Sequence, residues 1–91
     1  MDDFHAAELA EHRAAPFPES VDKGRDYGDV DPVLIDADIF GWASQDRLSG
    51  VQKQSLRAAA DELARSLDAF PPDARPYCER LLRLARRAAA R

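Results

Sequence analysis

Cysteine is nearly missing from this sequence. Cys78 stands alone, so the chain can form no internal disulfide and no cysteine-rich zinc site. Long apolar runs are missing too. Nothing approaches the roughly 18 consecutive apolar residues that a membrane span needs, and Asp2 and Asp3 stand where a secretory leader would place basic residues. The expected address is the cytoplasm, with no membrane attachment. Glycine occurs only at positions 24, 28, 41 and 50, each isolated, which leaves no phosphate-cradling loop and no dinucleotide fingerprint. Lysine is scarce, two against eleven arginines, a bias that points to a GC-rich bacterial source.

What remains suits a small helical domain. The 91 residues are 45% apolar and 33% charged, with a mean hydropathy of -0.51, enough for one core but not for two. Residues 1–91 are therefore read as a single domain. Domains of this size are marginally stable and gain from a partner subunit, so self-association, as a homodimer, is expected. Charge is unevenly laid out: residues 1–46 hold twelve acids and three bases, residues 47–91 five acids and ten bases. The first expectation is that the two halves satisfy each other across the fold or across a dimer.

Proline punctuates the chain at 16, 18, 32, 71, 72 and 76. Asp2 to Ala15 reads as a short helix with Asp2 or Asp3 as cap, weakly anchored by Phe4, Ala7, Leu9 and Ala10. Pro16 and Pro18 end it, and a charged loop follows to Asp31 with Phe17 and Tyr27 as its aromatic anchors. Residues 1–31 are thus expected to be a loosely packed arm on a helical core of residues 32–91. Asp31-Pro32 is a good helix opening, since Asp caps free N–H groups and Pro gives up a donor that would be unpaired anyway. Turned at about 100° per residue, Val33, Ile35, Ile39, Phe40, Trp42 and Ala43 share one arc. Ser49 to Gln52 matches a capping box, and the stripe Leu56, Ala59, Ala60, Leu63, Leu67, Phe70 predicts the helix behind it. Pro71-Pro72 forces a stop. Asp73 is expected to cap a last helix with the stripe Tyr77, Cys78, Leu81, Leu82, Leu84, Ala85, Ala88. The fold class is all-α: a three- to four-helix bundle in which an antiparallel hairpin from Ser49 to Ala90 packs on the Val33–Asp46 segment.

Chemistry centres on Asp36 and Asp38. On a helix these carboxylates project far apart; on a strand they share a face. Read as a strand, Val33 to Ser44 resembles the opening strand of PIN-domain nucleases, an apolar run leading into an aspartate and then a helix, which implies a divalent-metal role for Asp36 and a metal-dependent hydrolase. The chain is short for that fold and shows no further β-rich run. On the helical reading, Asp36 lies inside the apolar arc and needs a partner, for which the arginines of the last helix are available.

His5, Glu8 and His12 follow at steps of three and four but lack a fourth ligand, so an exposed polar face is expected rather than a metal site. A calcium loop starting at Asp36 fails at Phe40 and Arg47. Cys78, within an apolar stripe, is expected to be an inert core thiol. Arg80, Arg83, Arg86, Arg87 and Arg91 make the last helix basic, but an overall pI near 5.0 without interleaved aromatics disfavours nucleic-acid binding. The expected function is non-enzymatic: a small protein-binding or regulatory domain without metal or cofactor. Its candidate binding residues are Asp36, Asp38, Trp42 and Tyr27, aromatics and paired charges being the usual anchors of interfaces.

Overall fold

A computed structural model describes residues 2–91. Four helices account for most of them: α1 (Asp3–Ala14), α2 (Pro32–Ala43), α3 (Gly50–Ser66) and α4 (Arg75–Ala89). The all-α bundle with a C-terminal helical hairpin is the observed architecture. The Val33–Ser44 stretch is helix through Ala43, so the strand reading, and the nuclease resemblance that depended on it, does not hold.

Local chemistry explains the helix starts. The Asp2 carboxylate accepts the N–H of His5 at 2.7 Å, and this backbone hydrogen bond holds its carboxyl below the ordinary range. Asp31 accepts the N–H groups of Val33 and Leu34, with Pro32 at the first helical position. Ser49 and Gln52 form the reciprocal capping box, at 3.1 and 2.8 Å. The fourth start departs from expectation. Asp73 lies in a 3-10 turn, Pro72–Ala74, and no side chain caps α4. The turn leads straight into the helix, with Pro76 in its first turn.

α4 is the hub, touching each of the other three helices. Seven of its residues are buried, among them Leu81, Leu84 and Ala85, facing Leu56 and Leu63 of α3 and Ile39 of α2. Its C-terminal carbonyls are held from α3, where Arg57 donates to Ala89 O at 2.9 Å and Lys53 donates to Arg91 O. α2 buries only Ile35, Ile39 and Ala43 among its larger apolar groups, leaving Val33 and Leu34 in solvent.

The N-terminal arm is packed rather than loose. α1 docks on α4, and the loop behind it buries Val21, Tyr27 and Val30. Tyr27 and Val30 exchange backbone hydrogen bonds at 2.8 and 3.1 Å around a turn. Tyr27 stacks on Phe70 with ring centroids 4.9 Å apart, and its hydroxyl accepts the N–H of Asp22. Charge count and missing periodicity made this loop look detached. Three apolar side chains spaced six and three residues apart are enough to pin it, and they follow neither the helical nor the strand period.

Candidate functional site

The densest chemistry lies where α1 crosses α4. His5, Glu8 and His12, expected in solvent, are buried, with relative exposures of 0%, 7% and 4%. They share one face of α1 as their spacing requires, but that face points inward. Arg83 and Arg87 converge on Glu8, at 3.0 and 2.6 Å, and Arg80 reaches Glu11 at 3.4 Å. Three acids of the first half, Glu8, Glu11 and Asp29, thus find bases of the second half within one molecule.

The histidines follow one pattern twice. Arg87 approaches Nδ1 of His5 at 3.2 Å and Arg80 approaches Nδ1 of His12 at 3.1 Å. A guanidinium can only donate, so both Nδ1 atoms accept and both rings carry their hydrogen on Nε2. His5 Nε2 donates to the Ala43 carbonyl at 2.9 Å, and His12 Nε2 donates to Asp36 Oδ1 at 2.7 Å. The two pairs are seven residues apart on each helix, as antiparallel packing demands.

Asp36 sits at the edge of the core, its side chain 21% exposed. Its partners are His12 and the Tyr77 hydroxyl, which donates to Oδ2 at 2.8 Å, and not an arginine. Arg80, Arg83 and Arg87 of α4 are occupied by α1, whose arrival the helical wheel of α2 could not register. Burial, reinforced by the bond to Asp36, pushes the Tyr77 phenol upward and keeps it a donor. Both nitrogens of His12 are engaged, so its ring has no free nitrogen to offer a substrate. A role for this pair in proton transfer would require breaking one of those bonds.

The remaining candidates do not converge. Asp38 is exposed on the side of α2 facing α3, so the two aspartates point to different surfaces. Trp42 is half-buried against the core, and Tyr27 is buried. Cys78 is buried, and burial, with the nearby Asp36 and Glu79 carboxylates, pushes its thiol up to about 11. Its thiolate should therefore react with a thiol-specific disulfide reagent at least about a hundredfold more slowly in the native protein than in denaturant. Equal rates would show that α4 does not shield it.

Asp38 belongs to a groove of about 340 Å³ between α2 and α3, with Asp29, Asp31, Leu34, Ser55, Ala58 and Glu62 among its walls. Arg65 pairs loosely with Asp29 at 3.4 Å, both groups being largely exposed. Among the described residues, Asp38 and Glu62 have no ionic partner. Leu34 is 59% exposed on one wall. Gly41 follows Leu34 by seven residues, on the same stripe of α2, and a Cβ there would meet nothing within 4 Å.

Fold and surfaces define the class: a small all-α bundle with a buried ionic seam and an acidic, partly apolar groove. No family model, curated protein or solved structure matches the chain. No helix among the described residues is long and apolar enough to cross a membrane.

Proposed function

We propose that this chain is a non-enzymatic protein-binding domain whose α2–α3 groove takes a basic, amphipathic helix of another protein. The carrying observation is the composition of that groove. Carboxylates without ionic partners, Asp38 and Glu62, flank the exposed Leu34, so both an apolar stripe and a cationic rim of a visiting helix find counterparts. Gly41 supports the reading. A glycine in a helix interior costs about 1 kcal/mol relative to alanine, and no neighbour inside the molecule requires it. It leaves α2 bare where a partner backbone would approach.

Two results follow. Gly41→Ala is expected to raise the unfolding free energy by about 0.5–1 kcal/mol in urea titration. Gly41→Gln, whose side chain has open space to occupy, should fold yet crowd α2 one turn beyond Asp38, where a helix lying along the groove would continue. The probe for binding is a synthetic 18-residue Lys/Leu helix, with a Glu/Leu helix of the same pattern as control. The Lys/Leu helix should shift amide resonances of Leu34, Asp38, Ser55 and Glu62, and Asp38→Lys/Glu62→Lys should weaken it more than about tenfold. Equal binding of the acidic control, or shifts confined to other faces, would remove the proposal. The second reading, nucleic acid on α4, is less supported because Arg80, Arg83 and Arg87 already face α1. A duplex DNA titration that moved α4 resonances would promote it. A bacterial cytoplasm remains our proposed setting, supported by the single thiol and the arginine-rich composition.

A further inference from the structure

α1 is held by a different chemistry from the rest of the bundle. Of its four buried side chains only Leu9 is apolar; the others are His5, Glu8 and His12. Its main counterparts are the α4 arginines, with two hydrogen bonds reaching α2 at Ala43 O and Asp36. Groups of this kind are well solvated when apart, so undocking α1 costs mainly polar contacts, with Leu9 its one buried apolar side chain and the Phe40 and Tyr77 rings losing the cover of His12.

The connection to the body suits such movement. Ala15 is extended, with φ -74° and ψ 136°, and Pro16 and Pro18 follow it. Prolines keep a short connector open and semi-rigid, which resists folding back. The body has its own hold on the chain beyond that point through Val21, Tyr27 and Val30. The connector is clamped at Phe17, edge-on to Tyr77 with centroids 5.7 Å apart, and at the half-buried Pro18, whose carbonyl accepts the N–H of Val21.

We propose that α1 is an exchangeable element, and that two copies of this chain form a closed dimer by docking each α1 on the other copy's α4. The occupant is a second copy because the match is that of α1 itself. Two His–Arg pairs one heptad apart, with Glu8 gripped between them, set a register that another α1 reproduces contact for contact. Exchange of both helices closes the assembly about a two-fold axis with no surface left over. It does not rest on the groove reading. The α2–α3 grooves stay open, and the dimer displays two of them.

The test uses charge reversal in two full-length chains. Glu8→Arg spoils α1 of one chain, and Arg83→Glu/Arg87→Glu spoils α4 of the other. Each alone cannot dock its own α1, but each α1 matches the other chain's α4. Mixed after brief partial denaturation, they should form a 1:1 heterodimer of twice the single-chain mass by light scattering. A mixture that stays at single-chain mass, with both chains helical and melting cooperatively, overturns the proposal. Should either variant fail to fold, the wild-type chain decides. Labelled and unlabelled copies are mixed at millimolar concentration after the same treatment. Isotope-filtered NOEs between the His12 ring of one copy and the Tyr77 ring of another, 4.5 Å apart by centroid when docked, support it. A single-chain mass, or a dimer without those NOEs, overturns it.

Discussion

Glu8→Ala is expected to lower the unfolding free energy by about 2–3 kcal/mol, among the largest losses of any single polar substitution in this chain. Removing one member of a buried ion pair costs about 3–5 kcal/mol because the remaining charge is left without compensation. The figure is reduced here because Arg83 is 53% exposed and can return to water, whereas Arg87, at 21%, cannot do so fully. Glu11→Ala is the internal control. Glu11 is 66% exposed in its pair with Arg80, so its removal should cost no more than about 0.5 kcal/mol. Urea midpoints of the three proteins, compared at constant slope, check the contrast.

The same residue gives the protein an acid-sensitive component. Burial disfavours the Glu8 carboxylate, but hydrogen bonds from Arg87 and Arg83 outweigh it and hold the group below the ordinary glutamate value of 4.5. A carboxyl whose folded value is depressed adds stability that is present in full above its unfolded value and is lost as pH falls through the folded one. Wild type should therefore lose stability below about pH 4.5 more steeply than Glu8→Ala does. Parallel stability curves for the two proteins in acid would contradict the seam.

Gly28→Ala is the second large effect, expected at about 2–3 kcal/mol. Gly28 has φ 59°, and the left-handed region costs an L-residue about 1–2 kcal/mol. A Cβ would also lie 2.7 Å from Ser66 Oγ and 2.8 Å from Ser66 Cβ, in a place where Ser66 is itself buried. The neighbour cannot simply swing aside, because its hydroxyl accepts the N–H of Asp29 at 2.9 Å. The turn is thus fastened to the end of α3 at the point where a side chain would intrude. A double-mutant cycle with Ser66→Gly separates the two causes. The contacts with Oγ and Cβ should disappear, while a 3.2 Å contact with the Cα of residue 66 and the backbone penalty remain, so Gly28→Ala should cost about 1–2 kcal/mol in that background. An unchanged penalty would mean that the contact with Ser66 contributes nothing.

The parts of the fold legible in sequence were those set by neighbours along the chain. Asp31-Pro32, the Ser49–Gln52 box and the prolines at 71 and 72 act within a few residues, and each appears where the local pattern placed it. The stripe from Leu56 to Leu63 likewise needed only a helix and a core to face. Val33, counted in the apolar arc, misled because α2 has more apolar residues than one buried face can use. His5, Glu8 and His12 misled for the opposite reason: polar groups at helical spacing read as a solvent face unless a complementary face is known to exist. The signal that could have found them was present as arginines at matching seven-residue spacing in the last helix, Arg80 and Arg87.

Helix positions, the caps of α1, α2 and α3, the hairpin and the sign of charge in each half follow from the amino-acid order alone, because each depends on steric and hydrogen-bonding rules that operate over a turn or two. Which acid meets which base, the partners of Asp36, the opposed directions of Asp36 and Asp38, and the burial of Tyr27 were decided only when α1 and the loop closed over α4. Those outcomes turn on distances between residues up to 79 apart in the chain, as for Arg87 and Glu8. A guanidinium satisfies whichever acceptor the packing brings within about 3 Å.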